Sequence, residues 1–158
     1  MKGLGLAKLG LGLLTVLCSV GCATGPSFVE REPQSRGTGI VYLYRPFEWE
    51  ELPTSPTIMV DGKPHGNLRA RGYMDLDLKP GSYSIETKGN RSWTTTESIG
   101  VRVNGGDVCF VKLEMTEVEV QRIDLESGQK TGRLQPRFRV VPDSVGRKEI
   151  AGCRRCGP

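Results

Sequence analysis

Period-two alternation is the feature that most restricts this chain. In Tyr73-Met-Asp-Leu-Asp-Leu78 the residues Tyr73, Asp75 and Asp77 fall on one side of an extended backbone, and Met74, Leu76 and Leu78 on the other. Successive strand side chains point to opposite faces, so this run fits a strand with one buried face and one wet face. Gly39–Arg45 is dense in β-branched and aromatic residues, and Thr57–Asp61 follows it. Tyr83, Ile85 and Thr87 alternate with Ser84, Glu86 and Lys88, and Ile99, Val101 and Val103 keep the same period. Val108–Met115 sets Cys109, Val111, Leu113 and Met115 on one face and Phe110 on the other, with Val118, Val120 and Ile123 extending the series. Turn signals separate these runs. Asp61-Gly62-Lys63 supplies the positive φ values of a type I′ hairpin, and Lys79-Pro80-Gly81 and Asn104-Gly-Gly-Asp107 mark two further turns. Strands at roughly 8–12-residue intervals predict an all-β fold, an antiparallel β-sandwich of about seven to nine strands, with a small closed barrel as the alternative. The sandwich domain is placed at 39–150, ending in one short C-terminal helix over Pro142–Ile150 with Pro142 at the first helical position.

The N-terminus carries a different signal. Lys2 and Lys8 precede an apolar run from Leu9 to Val20, 12 residues long. A helix needs about 20 apolar residues to cross a bilayer, so the run fits a secretory signal rather than a membrane span. Val20-Gly21-Cys22 closes it with a small residue before a cysteine, which resembles a bacterial lipoprotein lipobox. Ser19 stands where such motifs usually carry Leu, and an ordinary secretory signal is the alternative. Cys18 is a poor rival lipid site, because bulky Leu17 precedes it. The resemblance implies a signal peptide over 1–21, cleavage before Cys22, and diacylglycerol and palmitate-type acyl chains on Cys22 as the only cofactor. Two or three chains anchor a protein where one would not. Ala23, rather than Asp, follows the cysteine, which in enteric-type lipoproteins implies sorting to the outer membrane, facing the periplasm.

Residues 22–38 have two prolines, scattered charge and no apolar period, and read as a flexible tether reaching about 20 Å. The body that follows is compositionally ordinary, 37% hydrophobic and 25% charged in a chain of 158 residues. The formal charge of +4 includes Lys2 and Lys8 and falls to +2 without them, too little to argue for nucleic acid. A single histidine, His65, excludes mechanisms that need two imidazoles, HExxH zinc hydrolysis among them.

The elements GCATGPSF, GIVYLYRP, IMVDGKPHGNL, GYMDLDLKPGSYSIE and GGDVCFVKLEM, in this order, are similar to a family of bacterial lipoproteins grouped as a domain of unknown function, family 2846. The resemblance covers about Cys22 to Ile150. It implies an extracytoplasmic sandwich loosely like carboxypeptidase regulatory-like and PEGA-type domains, with no assigned activity. Arg45-Pro46, Gly81 and Tyr83 match the pattern, while Cys109 stands where the family commonly has Tyr.

Few residues could carry chemistry. The tail 151–158 holds Cys153-Arg-Arg-Cys156, a CxxC that reads as a disulfide or a pair of thiols. A zinc site would need Cys109 and His65 to join it. Thiol–disulfide exchange, with Arg154 and Arg155 favouring a thiolate, is the alternative function. Trp49 and Trp93 fall in polar, loop-like stretches and are the candidate partner-binding residues, each otherwise a cap on the core edge. Glu48, Glu50 and Glu51 read as a solvated loop, Asp75 and Asp77 as the polar face of a strand, and His65 as an exposed turn residue. No metal site, no nucleophile motif and no catalytic set is expected, so the chain reads as a non-enzymatic binding or scaffolding module. Its expected partners are the membrane, through the lipid anchor, and an envelope protein or glycan.

Overall fold

A computed structural model describes residues 22–35, 37–46, 55–89, 96–123 and 130–157, with side chains at 117–123 and 130–134 outside that description. The chain forms the expected all-β sandwich. In order, it has β1 (Gly39–Arg45), β2 (Thr57–Val60), β3 (Lys63–Asn67), β4 (Gly72–Leu78), β5 (Gly81–Lys88), β6 (Ser98–Val103), β7 (Val108–Ile123), β8 (Lys130–Val141), α1 (Asp143–Ile150) and β9 (Arg154–Arg155). A five-stranded sheet runs β8-β7-β1-β4-β9, and a four-stranded sheet runs β3-β2-β5-β6. The first sheet is mixed rather than antiparallel throughout, because β1 runs parallel to β7 and β4 parallel to β9.

The sequence GIVYLYR explains why β1 is central. Every one of its residues is buried, so both of its faces are covered. Val41 and Leu43 point inward with Leu76, Leu78, Val111 and Leu113, against Ile58, Val60, Ile85, Val101 and Val103 of the second sheet. Ile40, Tyr42 and Tyr44 point the other way and form a second cluster with Tyr73, Phe110, Val141 and Ile150. That outer face is roofed by α1 and by the segment after Cys22. Gly146 of α1 lies so close to Phe110 that an added Cβ would overlap the ring.

The turns follow their local chemistry. Asp61 and Gly62 have φ of 47° and 74°, the pair of positive values a type I′ turn demands. Asp61 also ties this hairpin to β5, donating its N–H to the Ser84 carbonyl (2.9 Å) and accepting the Ser84 N–H on Oδ1 (2.8 Å). Pro142 caps α1 from outside the helix instead of occupying its first turn, and its carbonyl accepts from the N–H groups of Val145 and Gly146.

Candidate functional site

The two ends of the described chain close over one edge of the five-stranded sheet. β9 lies beside β4, with the Arg154 N–H donating to the Arg71 carbonyl (2.7 Å) and the Cys156 N–H to the Tyr73 carbonyl (2.8 Å). The N-terminal segment takes the other side of β9. Arg155 N–H donates to the Pro26 carbonyl (2.8 Å), Phe28 N–H to the Cys153 carbonyl (3.2 Å), and Ser27 pairs with Arg154. Further back, Cys22 pairs with Ala70, and the Ala23 N–H donates to the Ala70 carbonyl (3.1 Å). A Cβ on Gly25 would overlap the Arg155 carbonyl, and one on Gly72 would overlap Cys156 Sγ. Glycine at these two positions lets the strands approach.

Of the stretch expected as a flexible tether, 22–38, the described residues 22–35 lie docked against the sandwich. The segment is docked by backbone pairing, one aromatic ring and one arginine, and none of these leaves a periodic hydrophobic trace. Phe28 meets Tyr42 and Tyr73 edge-on, at 5.1 Å and 5.3 Å between centroids. Arg31 donates from Nε to Asp75 (2.8 Å) and also bonds Asp77, while its backbone N–H donates to the Tyr42 hydroxyl (2.9 Å).

The expected wet face of β4 is therefore covered. The Asp75 side chain is 4% exposed and holds two arginines, Arg31 on one side and Arg155, at 2.7 Å, on the other. A buried carboxylate needs such compensation, since isolated charge in the interior is strongly disfavoured. The Arg31 hydrogen bond holds the Asp77 carboxyl below the usual carboxylate range, against the opposing effect of desolvation, with the Gln34 N–H adding a further bond. Burial pushes the hydroxyls of Tyr42 and Tyr73 up. A second polar group sits under α1, where Tyr44 donates to Glu149 (2.7 Å) and Lys112 lies between Glu149 (3.5 Å) and Glu114 (3.4 Å).

The described cysteines do not form one centre. Cys153 is 2% exposed in the outer cluster, its thiol 3.8 Å from the Arg45 carbonyl. Cys156 is 9% exposed in the inner cluster and accepts the Arg69 N–H (3.4 Å). The intervening Arg154 and Arg155 form β9, so the two thiols go to opposite faces of the sheet and no disulfide joins them. The arginines do not activate the thiols either, because Arg155 binds Asp75 and Arg154 donates to the Gly25 carbonyl (3.3 Å). Burial pushes the Cys156 thiol up, away from the thiolate. Cys109 packs, half-buried, against the inner cluster, where burial also raises its thiol. Cys22 is half-buried at the edge.

Among the described residues no group of three or more His, Cys, Asp or Glu is placed to hold a metal, and no helix is long and apolar enough to cross a membrane. A cleft of about 380 Å³ opens where β9 stops short along β4, lined by His65, Met74, Leu76, Arg155 and Cys156 among others. His65 is in β3, not in a turn, beside the register shift that the edge hairpin makes at Ile58 and Met59. Trp49, Trp93, Glu48, Glu50 and Glu51 lie outside the described residues. Arg31 escaped the sequence reading because its partners are 44 and 46 positions away. The only trace of it was two carboxylates on a strand face otherwise aromatic.

A family model described as "Protein of unknown function (DUF2846)" matches residues 35–128. The chain belongs to this family. The DUF2846 match takes in β1 to β7, and with them Asp75, Asp77, Arg69 and Arg71. Cys22, Arg31, α1 and β9 lie outside it, so the clasp joins residues of the family region to both flanks. No curated protein and no solved structure matches the chain.

Proposed function

We propose that the protein is a lipoprotein of the bacterial cell envelope, anchored through acyl chains on Cys22 at the outer membrane facing the periplasm. In this reading it serves as a non-enzymatic binding or scaffolding module for an envelope protein or glycan. The observation that carries the reading is where Cys22 lies: its backbone pairs with Ala70 at the sandwich edge, and the next residue, Ala23, is already part of the core. Cleavage before Cys22 would thus leave every described strand intact and put the thioether at the rim of the body. The non-catalytic part draws support from the chain's single histidine and from the burial of both tail thiols on opposite sheet faces.

The intact mass of the protein recovered from its native membrane tests the anchor. The expected value is that of Cys22–Pro158 plus two or three acyl chains, and an unmodified mature chain would refute the reading. The partner surface is assigned to the stretches of sequence carrying Trp49 and Trp93. Trp49→Ala and Trp93→Ala should each lower capture of an envelope partner several-fold, as expected for aromatic anchors of an interface, and unchanged capture would remove that assignment.

A further inference from the structure

Three stretches of chain converge where Cys22 pairs with Ala70: Cys22–Val29, His65–Met74 and Ala151–Gly157. Together they contain Arg69, Arg71, Arg154 and Arg155 and not one Asp or Glu. The rest of the chain offsets this, since without Lys2 and Lys8 the whole formal charge is only +2. The edge therefore carries a net +4 against −2 for the rest of the chain after Gly21, with β8 the other acid-free basic run, at Lys130, Arg133, Arg137 and Arg139. All four arginines are exposed, Arg155 bonding Asp75 and Arg154 donating to the Gly25 carbonyl. Arg69 and Arg71 flank Ala70, the residue beside Cys22, and the bond from Arg154 N–H to the Arg71 carbonyl sets Arg154 next to them.

We infer that this arginine edge is a membrane-docking surface that seats on anionic phospholipid headgroups around the Cys22 anchor. The inference rests on the lipoprotein reading and adds an orientation to it. A free tether would let the body stand off and tumble. Here the chain from Cys22 onward is paired to Ala70 and β9, so an acyl chain on Cys22 Sγ brings the same edge, and no other, against the leaflet. Guanidinium groups bind phosphate oxygens in a fork. Each basic side chain near an anionic surface favours contact about fivefold, so three give about a hundredfold bias towards the docked orientation. The effect fades within a Debye length, about 8 Å at physiological salt, so it requires the close approach that the paired segment imposes.

The test uses the full lipidated chain reconstituted into two kinds of vesicle, phosphatidylcholine alone and phosphatidylethanolamine with phosphatidylglycerol. Arginines are labelled with hydroxyphenylglyoxal and counted by peptide mass spectrometry. Arg69, Arg71 and Arg154 should react at least fivefold more slowly on the anionic vesicles, and the difference should vanish in 1 M NaCl. Arg137 and Arg139, exposed on β8, should react equally on both. Equal labelling of Arg69, Arg71 and Arg154 on the two vesicles would overturn the docking surface. Flotation reports the anchor separately. A chain that floats with phosphatidylcholine but shows no differential labelling keeps the anchor and loses the surface. One that floats only with anionic vesicles, with the three arginines protected, keeps the surface and loses the anchor.

Discussion

Arg31 Nε lies 2.8 Å from Asp75 Oδ2, and through this bond the segment after Cys22 is held on the outer face of the sandwich. The pair is unequal in exposure, at 32% for the Arg31 side chain and 4% for Asp75. The carboxylate has given up nearly all of its water, and Arg31 and Arg155 replace it. Severing such a contact leaves a buried charge short of partners, which is more damaging than the worth of an exposed ion pair.

Arg31→Ala is accordingly expected to destabilise the fold by about 1–3 kcal/mol. It should also release residues 26–31 from β9. Denaturant unfolding gives the first quantity, and hydrogen exchange at the Phe28 and Arg155 amides gives the second. Retained protection at both amides would show that backbone pairing alone holds the segment.

Acid should act on the same contact. Asp77 has a carboxyl held below its ordinary value by Arg31, so its contribution is complete above the unfolded value of about 3.9 and is lost as the pH falls through the lower folded value. Stability from this source should be flat between pH 7 and about 4 and decline below. Asp77→Asn should flatten that acid limb. An unchanged limb in the variant would assign acid sensitivity to other carboxyls.

Alkali should act through the tyrosines. Burial, followed by the bond to Glu149, raises the Tyr44 hydroxyl well above its ordinary range, and burial raises Tyr42 and Tyr73. Raised folded values contribute stability that is full below the unfolded value of about 10 and is lost as the pH climbs from there towards the folded value. Absorbance of tyrosinate at 295 nm should therefore rise together with unfolding. Ionisation of all tyrosines in a chain still folded would contradict the burial of the outer cluster.

The tail thiols should resist modification. Cys153 and Cys156 are 2% and 9% exposed on opposite faces of the sheet, so alkylation under native conditions should be slow for both and become rapid on unfolding. Mass spectrometry after native and then denaturing alkylation with different reagents separates the two states. A Cys153–Cys156 disulfide in the folded protein would require β9 to leave β4.

Gly146→Ala should lift α1 from the sheet, because the added methyl overlaps Phe110. Overpacking of this kind costs about 1–3 kcal/mol, although alanine is the better helix former. A thermal melt decides the sign. A more stable variant would mean that the Phe110 ring can swing aside.

What could be read from the chain alone was whatever is encoded between near neighbours. β1 and β2 carry dense β-branched or aromatic runs, β4, β5, β6 and β7 carry their own alternation, Asp61-Gly62 carries its own φ preference, and the short helix carries its own start signal. These made the sandwich and its inner core legible. β3 was not, because Lys63-Pro-His-Gly-Asn67 has no strand propensity and forms only as the return arm of a tight turn. β8 was hidden by Pro136 and its arginines, which suit an edge strand that discourages further pairing.

The clasp belongs wholly to the tertiary structure. Nothing within Cys22–Ser35 distinguishes a docked segment from a loose one, and nothing near Asp75 announces that its water will be displaced. The parallel register of β9 on β4 decides that Cys153 and Cys156 part company, that Arg155 reaches Asp75, and that Arg154 stands beside Arg71. Those pairings depend on distant segments meeting at one sheet edge. Local sequence sets which face of a strand is apolar, and only the folded edge sets what comes to cover the other.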